Sequence, residues 1–555
     1  MSRHFRALAA LALSASLARP AAGQDAAAAG AAKPPDSPDR PTLELSLDDA
    51  VKRALENNAD IAVARFDPES SVESVKYAQG YYDPFATSTL TKASADNPQT
   101  NFFSGGQTVT SKTTVWNFGV NQYLPTGGSV NLAFNNNKAD SNSVFNTFNP
   151  TFSSSLTASI SQPLLRNFRT DAVRSQIRIA KKNREISDVQ FRQTVINTVA
   201  GVKSLYYNLI YAIDNLGAAR KSLDLASKLL GENEIRVKVG TMAPLDIVSA
   251  RSEVASREAD VIVAEATLLG AEDQLKQALF TEAKDNTWSL RVVPKDRPTA
   301  DPIPIDVEAA IRTAYEKRTD IVAARKGLER ADISVVEARN QALPQVDLVA
   351  SYGGSGVGGT QLRDSAGNLL ATPIAGGYGD ATSQVFATDF PTWRVGFSVS
   401  YSILNRQAKA SAALARISKD QAQASFSRLL LNAAVEIRAA GRGVETNFKL
   451  VASTKAARVL AAERLDAEQK KFEAGMSTNF FVTQAQRDLT VAEVAELRAI
   501  LDYRISLTNY ERSQESGLGG SGSLATLSSS QGNGSSSQRG GSSSAFGSSQ
   551  GNGSF

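Results

Sequence analysis

The residue types on which most enzyme chemistry depends are nearly absent from this sequence. Its 555 residues include no cysteine and one histidine, His4. Such a chain lacks thiol nucleophiles and the usual ligands of zinc, copper and haem, and His4 lies in a segment that we expect to be removed. Acidic residues lie mostly in helical charge patterns such as READ at 257–260, which favour a solvated helix face over an acid–base pair. We therefore predict that the protein is not an enzyme and holds no metal or cofactor.

The first 23 residues have the pattern of a secretory signal peptide. Arg3 and Arg6 precede a short apolar run, which ends in a small-x-small cleavage signal at 21–23. No cysteine follows the cut, so a lipid anchor is not expected. Residues 24–43 are predicted to be a flexible leader, and no later apolar run reaches the roughly 20 residues of a spanning helix. The 60 basic and 56 acidic residues are nearly balanced, which argues against a nucleic-acid partner.

The chain is predicted to consist of two repeats with the same order of elements. SLDDAVKRALENNADIAVAR at 46–65 aligns with DVEAAIRTAYEKRTDIVAAR at 306–325, and each segment is followed by a proline, alternating residues and a long helix. We predict a first repeat over 44–290 and a second over 303–512. The Ser/Gly-rich segment 513–555 cannot bury a core and is predicted to be a disordered tail, whose role the sequence does not indicate.

Each repeat is predicted to contain a long antiparallel helical hairpin. The predicted helices are, in chain order, 164–239 and 243–281 in the first repeat, and 306–342, 405–474 and 478–512 in the second. Apolar residues of the first return helix recur at intervals of seven, which indicates coiled-coil packing. Gly240 and Gly475 stand where the two hairpins turn, since glycine readily adopts the left-handed conformation that ends many helices.

Between the helices the pattern changes to strict alternation, which predicts strands over about 85–163 and about 345–404. In RVGFSVSYSIL at 394–404, apolar side chains share one face and mostly small or polar ones the other. A soluble sheet gives the same alternation. The export signal, the long Gly/Asn/Ser-rich loops and aromatic residues near strand ends favour a membrane barrel instead. Because so few strands cannot close a barrel, copies of the chain must combine them.

One strand-like segment, residues 113–137, has two interpretations. It alternates, and PTGG at 125–128 has the composition of a hairpin turn. The segment is either an extracellular hairpin that extends the barrel or a pair of additional wall strands, which would give 18 strands instead of 12. We favour the hairpin. The Gly-rich run at 353–359 lacks the following helix and the Lys-Ser/Thr pair of a phosphate loop, so we assign it no phosphate.

Together these segments resemble the TolC-like outer membrane efflux proteins over about residues 44–512. The most specific pieces are VKVGTMAPLDIVSARSEV, its echo FEAGMSTNFFVTQAQRDL, the strand exit SQPLLRNF and the opening SLDDAVKRALENN. The resemblance implies a mainly α fold with membrane β: coiled-coil hairpins form a periplasmic tunnel below a transmembrane β-barrel shared by a homotrimer. It implies the outer membrane of a Gram-negative bacterium, with contacts to outer membrane lipid, a periplasmic adaptor (membrane fusion) protein and an inner-membrane transporter. The implied function is a passive exit duct of a tripartite efflux or type I secretion system, with cargo and pump class left open.

The resemblance also implies site residues at the hairpin tips. The adaptor-contacting residues map onto Val239, Gly240, Thr241, Ala474, Gly475 and Met476. In known members, two acidic residues and an arginine after the second glycine narrow and lock the tunnel. The corresponding residues here are Phe481, Gln484 and Ser477. Asp246, six positions after Gly240, matches a polar gate position. We expect an aromatic, amide-lined constriction with a weaker cation preference than an acidic ring would give.

Two other functions fit parts of the sequence. An exported coiled-coil stalk or adhesin would explain the helices, but it would not need alternating segments placed twice between them. An exported hydrolase that uses carboxylates would need a compact domain with a pocket, and no segment indicates one. The exit duct is therefore the predicted function.

Overall fold

The computed structural model describes residues 41–98, 108–143, 145–240, 243–281 and 288–517. The predicted signal peptide, nearly all of the leader and the tail beyond residue 517 lie outside the described residues. The described chain is mainly helical, and its long helices lead into one large antiparallel sheet.

Within these ranges the helices are α1 (Leu47–Asn57), α2 (Ala59–Ala64), α3 (Phe66–Gln79), α4 (Ala172–Lys238), α5 (Pro244–Leu279), α6 (Val307–Lys317), α7 (Thr319–Gln341), α8 (Tyr378–Ala387), α9 (Arg406–Glu473) and α10 (Asn479–Glu515). The strands are β1 (Thr42–Leu45), β2 (Phe85–Pro98), β3 (Thr108–Tyr123), β4 (Ser129–Ser141), β5 (Phe148–Pro163), β6 (Arg291–Pro294), β7 (Gln345–Arg363), β8 (Leu369–Ile374) and β9 (Phe390–Ser400).

Two long helical hairpins, α4–α5 and α9–α10, form the greater part of the described chain. Helix α4 has 67 residues and α9 has 68, so each is about 100 Å long at about 1.5 Å per residue. Helix α4 also packs against α10, which joins the two hairpins. No helix in the described part of the chain is both long and apolar enough to cross a membrane.

The middle of the helical part holds a buried core that the sequence did not predict in full. Strand β1 pairs in parallel with β6, so the segment predicted as leader up to residue 43 ends inside a strand. Leu45 at the end of β1 is buried with α4 residues, and the Tyr206 hydroxyl donates a hydrogen bond to the Leu45 carbonyl at 3.0 Å. Strand β1 is thereby fixed against the first hairpin.

Two of the predicted helices differ from the structure. The long helix predicted from 164 begins at Ala172, because Asn167 and Arg169 have left-handed backbone angles that interrupt a helix. The helix predicted over 306–342 breaks at Arg318, whose extended backbone separates α6 from α7. The Arg318 side chain is 3% exposed and forms ion pairs with Asp320 and Glu436, so this break is fixed by buried contacts.

The sheet has the strand order β2-β3-β4-β5-β7-β9, and β8 pairs with the upper part of β7. Strand β4 pairs residue by residue with β5 from Ser129 opposite Ser161 to Ala139 opposite Thr151. The turn between β3 and β4 lies at the helical end, where a Cβ at Gly127 would be 2.3 Å from the Asn167 carbonyl oxygen. The favoured extracellular hairpin is therefore wrong, because β3 and β4 run within the sheet itself.

A short helix, α8, interrupts the strands predicted over 345–404. It packs across β7 at Gly354, Gly356 and Gly358, where an added Cβ would be 2.0 to 2.9 Å from backbone oxygens at or beside α8. The Gln384 side chain hydrogen-bonds both the N–H and the carbonyl of Val357. The Gly-rich run is thus the surface against which α8 packs. Gln384 supplies the hydrogen bonds to Val357 that a neighbouring strand would otherwise make.

Candidate functional site

The first hairpin turns at Gly240, which has the left-handed φ of 82° that the sequence predicts. Val239 ends α4 and is 71% exposed, and the Gly240 N–H donates to the Val237 carbonyl. Helix α5 then begins with Pro244 in its first turn, where a missing N–H costs nothing. Thr241 lies outside the described residues, so its predicted role stays a prediction.

The second hairpin turns in a Schellman motif. Gly475 has a φ of 76°, its N–H donates to the Phe472 carbonyl, and the Met476 N–H donates to the Lys471 carbonyl. Ala474 and Met476 lie exposed at this turn, and Met476 is 76% exposed. The tip therefore presents an apolar side chain on a rigid, hydrogen-bonded turn.

The structure brings the two tips side by side. The guanidinium of Arg236, near the end of α4, lies over the ring of Phe472, near the end of α9, at 4.3 Å from its centre. Leu229 of α4 packs in the same cluster as Leu465 of α9 and Val482 of α10. Movement of one tip relative to the other would thus separate an apolar cluster and a cation–π contact.

The predicted gate residues lie at the starts of the two return helices: Asp246 and Phe481 in first turns, Gln484 in the second turn of α10, and Ser477 just before α10. Ser477 donates a hydrogen bond to Glu468, and Gln484 donates to Asp488, both at 2.8 Å and within the second hairpin. Phe481 is 50% exposed beside Phe480. Asp246 is half-buried in the first turn of α5. The hydrogen bonds of Ser477 and Gln484 stay within their own hairpin, and the described contacts do not bring Asp246 into one cluster with them.

An ion-pair cluster that the sequence analysis did not predict joins the two hairpins further from their turns. Arg487 of α10 binds both carboxylate oxygens of Glu253 in α5, and Arg257 approaches the same carboxylate at 2.8 Å. The Glu253 side chain is 8% exposed. Burial alone would raise the pKa of Glu253, but the hydrogen bonds from Arg487 and Arg257 outweigh it, so its pKa lies below the ordinary 4.5. We call these three residues the interhairpin clamp.

A signal for the clamp is present in the sequence. Glu253 follows Gly240 by thirteen residues, and Arg487 follows Gly475 by twelve, so opposite charges stand at nearly equal distances from the two turns. Charges on helices usually interact within one helix. Only the adjacent packing of the hairpins makes these two residues partners.

The sheet has two chemically different faces. Apolar side chains share one face, and its members are Leu90, Phe118, Val120, Leu132, Phe134, Leu156, Ile160, Leu348, Trp393, Val395, Phe397 and Val399. The opposite face carries hydroxyl and amide groups, including Thr89, Asn117, Asn131, Asn135, Ser155, Ser159, Ser351 and Ser398. This alternation is typical of a wall between lipid and water.

Both edges of this layer lack a partner within the described chain. Strand β2 pairs only with β3, and β9 pairs with β7 alone. The helices next to these edges match them: α3 contains no buried residue, and α9 has none before Ala433. Tyr77 on α3 is 88% exposed and Leu414 on α9 is 65% exposed. The described chain thus forms an open arc whose two end strands are unpaired and whose neighbouring helices expose apolar side chains.

A family model described as outer membrane efflux protein matches residues 50–279 and 310–512. These segments make up well over half of the chain and include both hairpins and all strands of the large sheet. The chain belongs to the outer membrane efflux protein family. The predicted resemblance is therefore confirmed.

Relatives of this family member are distant in sequence. Outer membrane protein TolC of Vibrio cholerae is 24% identical over 328 residues, which cover 59% of this chain and 70% of the relative. TolC of Escherichia coli is 26% identical over 223 residues, 37% of this chain and 44% of the relative, so the match spans less than half of that protein. The crystal structure of the CmeC outer membrane channel of Campylobacter jejuni matches with a TM-score of 0.60 and 17% identity, covering 84% of this chain and 85% of that one. That likeness shows a common fold.

Proposed function

We propose that this family member is the passive exit duct of a tripartite efflux or type I secretion system, in the outer membrane of a Gram-negative bacterium. The observation that carries the proposal is the open arc, with one apolar face, one polar face and two unpartnered edges. An open sheet edge is not tolerated in lipid, because its N–H and C=O groups find no water there. A stalk or adhesin, the alternative, has no need of such a two-faced layer.

The partner that completes the arc is a second copy of the same chain. Strand β9 of one copy pairs with β2 of the next. The part of α9 before Ala433, which has no buried residue, packs on α3 of that neighbour. The exposed Leu414 and Tyr77 then lie in contacts between copies. This head-to-tail contact closes into a ring, and the resemblance to TolC-like proteins implies three copies.

The number of strands in the proposed barrel differs from the 12 that we favoured from the sequence. Each copy supplies six full strands, namely β2, β3, β4, β5, β7 and β9. Three copies therefore give 18, with the polar face lining the bore. Such a wall encloses a wider lumen than 12 strands would, since barrel diameter grows with strand number.

The tips are the opposite end of the duct, in the periplasm. Val239, Gly240 and Thr241, with Ala474, Gly475 and Met476, would contact the adaptor, and the transporter behind it would choose the cargo. Asp246, Ser477, Phe481 and Gln484 would form the constriction, which the partners open. No covalent chemistry is required of the duct.

Cysteine cross-linking tests the ring, because the chain has no cysteine of its own. Gly396→Cys in β9 is combined in turn with Thr87→Cys, Thr89→Cys and Thr91→Cys in β2, all on the polar face. Oxidation should link the chains into a trimer-sized band for one register. The control combines Gly396→Cys with Thr157→Cys, which lies inside the arc and should give no link between chains. A soluble monomer without detergent, or no link with any pair, would contradict the ring.

A further inference from the structure

On the apolar face of β2, β3 and β4, three lysines lie beyond the last apolar residue of each strand. Lys92 of β2 lies opposite Thr114 of β3, which lies opposite Lys138 of β4, so the two lysines share one cross-strand row. Lys112 of β3 stands in the next row. Lys92 and Lys112 are exposed, and Lys138 is half-buried. We call these residues the lysine row.

The position of the lysine row along the strands follows from the residues in the adjacent cross-strand row. The row nearer the helices contains Leu90 opposite Trp116, and the apolar band continues from there toward the helical end. In that same row Asn136 is buried and binds the hydroxyl groups of Ser154 and Tyr378. Polar groups thus enter this face one row before the lysines, toward the end of the sheet that lies away from the helices.

Helix α8 gives a second, independent indication of where the apolar residues of this face give way to polar groups. Tyr378, at its start, packs on Trp116 and covers the polar groups of β4 and β5. The portion of the face over β5 and β7 is therefore covered by α8. The lysines lie beside it, over β2 to β4.

The charge of the lysine row is not neutralised by ion pairs among the described residues. Lys138 lies over the ring of Phe152 at 5.6 Å, a contact that orients the amine without removing its charge. Asp140 shares this face and lies opposite Lys112 in the same row, and Asp96 lies one row further from the apolar residues. Lys92 and Lys138 are therefore the charges nearest the apolar residues.

We propose that the lysine row binds the phosphate groups of anionic lipid headgroups in the outer leaflet. The proposal rests on the proposed function, which turns the apolar face to lipid with the helices in the periplasm. A phosphate held by Lys92 and Lys138 would leave its acyl chains against Leu90, Trp116 and Phe118. A basic row directly above an apolar band fits an amphiphile, whereas a soluble phosphate would use only half of this surface.

The test compares the purified wild-type assembly with a triple variant, Lys92→Gln, Lys112→Gln and Lys138→Gln. A matched control removes three exposed lysines of the helical part, Lys52→Gln, Lys449→Gln and Lys455→Gln. Three probes are titrated while thermal stability and bound lipid mass are measured: a phosphorylated lipid A, the same lipid without its phosphates, and inorganic phosphate. We expect the phosphorylated lipid to bind wild type and control equally, and the triple variant about tenfold more weakly.

Equal binding by the triple variant would overturn the proposal, as would equal stabilisation by the dephosphorylated lipid or by inorganic phosphate. A triple variant that no longer assembles in lipid-free detergent would instead indicate that the lysines contact the next copy, for example Asp389 before its β9. A wild-type chain that forms no detergent-stable assembly would contradict the proposed function itself. That result is distinguishable, because it precedes any lipid titration.

Discussion

Arg487 in α10 forms an ion pair with the carboxylate of Glu253 in α5, and its Nε donates a hydrogen bond to Oε1 at 3.0 Å. Because α5 belongs to the first hairpin and α10 to the second, this contact joins the hairpins near their tips. The Glu253 carboxylate is almost fully buried, so removal of Arg487 leaves it with Arg257 as its remaining partner. An outward swing of either hairpin must separate this pair.

Loss of the clamp should favour an open tip. We expect Arg487→Gln to destabilise the closed arrangement by about 1–2 kcal/mol, which is about a 5- to 30-fold shift toward opening. Single-channel recording without adaptor measures the shift as a higher open probability. The matched control is Arg464→Gln, which removes an exposed pair with Asp488 inside the second hairpin and should change little. Equal effects of the two variants would contradict a clamp between hairpins.

The clamp should also make closure depend on acid pH. The folded pKa of Glu253 lies below its ordinary 4.5, so the carboxylate contributes stability above that value and loses it as pH falls through the folded pKa. We expect open probability to stay constant from about pH 7 to pH 5 and to rise only below about pH 4.5. Glu253→Gln should already be open at neutral pH and show no such rise. A rise centred well above pH 5 would assign the effect to another group.

The constriction should show a weaker preference for cations than an acidic ring would give, because Phe481 and Gln484 supply no charge and Asp246 is the one acidic residue among the four proposed. We expect Phe481→Asp to increase the cation-to-anion permeability ratio severalfold, since three copies would place a ring of carboxylates there. Phe480→Asp is the control, because it adds the same charge about 100° further round the helix. Reversal potentials in a salt gradient give the ratio. Strong cation selectivity of the wild type would contradict this gate.

The seat of α8 on β7 should tolerate no added methyl group. A Cβ at Gly356 would be 2.0 Å from the Ala381 carbonyl oxygen, so Gly356→Ala must displace α8. We expect faster proteolysis between residues 375 and 389 and a destabilised assembly, by about 1–3 kcal/mol. Gly396→Ala in β9 is the control, because its Cβ would meet no atom within 4 Å. Unchanged proteolysis in Gly356→Ala would mean that α8 does not rest there.

Elements governed by local chain physics were predictable. The long helices follow from helical spacing without proline, and Gly240 and Gly475 have the left-handed angles that a helix end requires. The alternation in β9 follows from one strand having two different surroundings. Helix α8 was not predictable in this way, because YGDATSQVFA has no strong periodicity and its helix is held by contact with the glycines of β7.

The position of β3 and β4 in the sheet could not be predicted from local sequence either. The residues at 125–128 indicate a turn, but a turn has the same composition at either end of a strand. Pairing of β4 with β5 over residues 129–139 decided at which end of the sheet the turn lies, and this pairing joins residues 12 to 32 positions apart. Likewise, the partner of Arg487 is 234 residues away.

The sequence by itself determined the long helices and the alternating strands, where the hairpins turn, and that one face of the strands is apolar. Those features depend on neighbouring residues, so they can be deduced from spacing and composition. The tertiary structure decided that six strands share one arc, that both arc edges are bare, and that Glu253 meets Arg487. These arrangements arise from packing between distant segments, which local patterns do not encode.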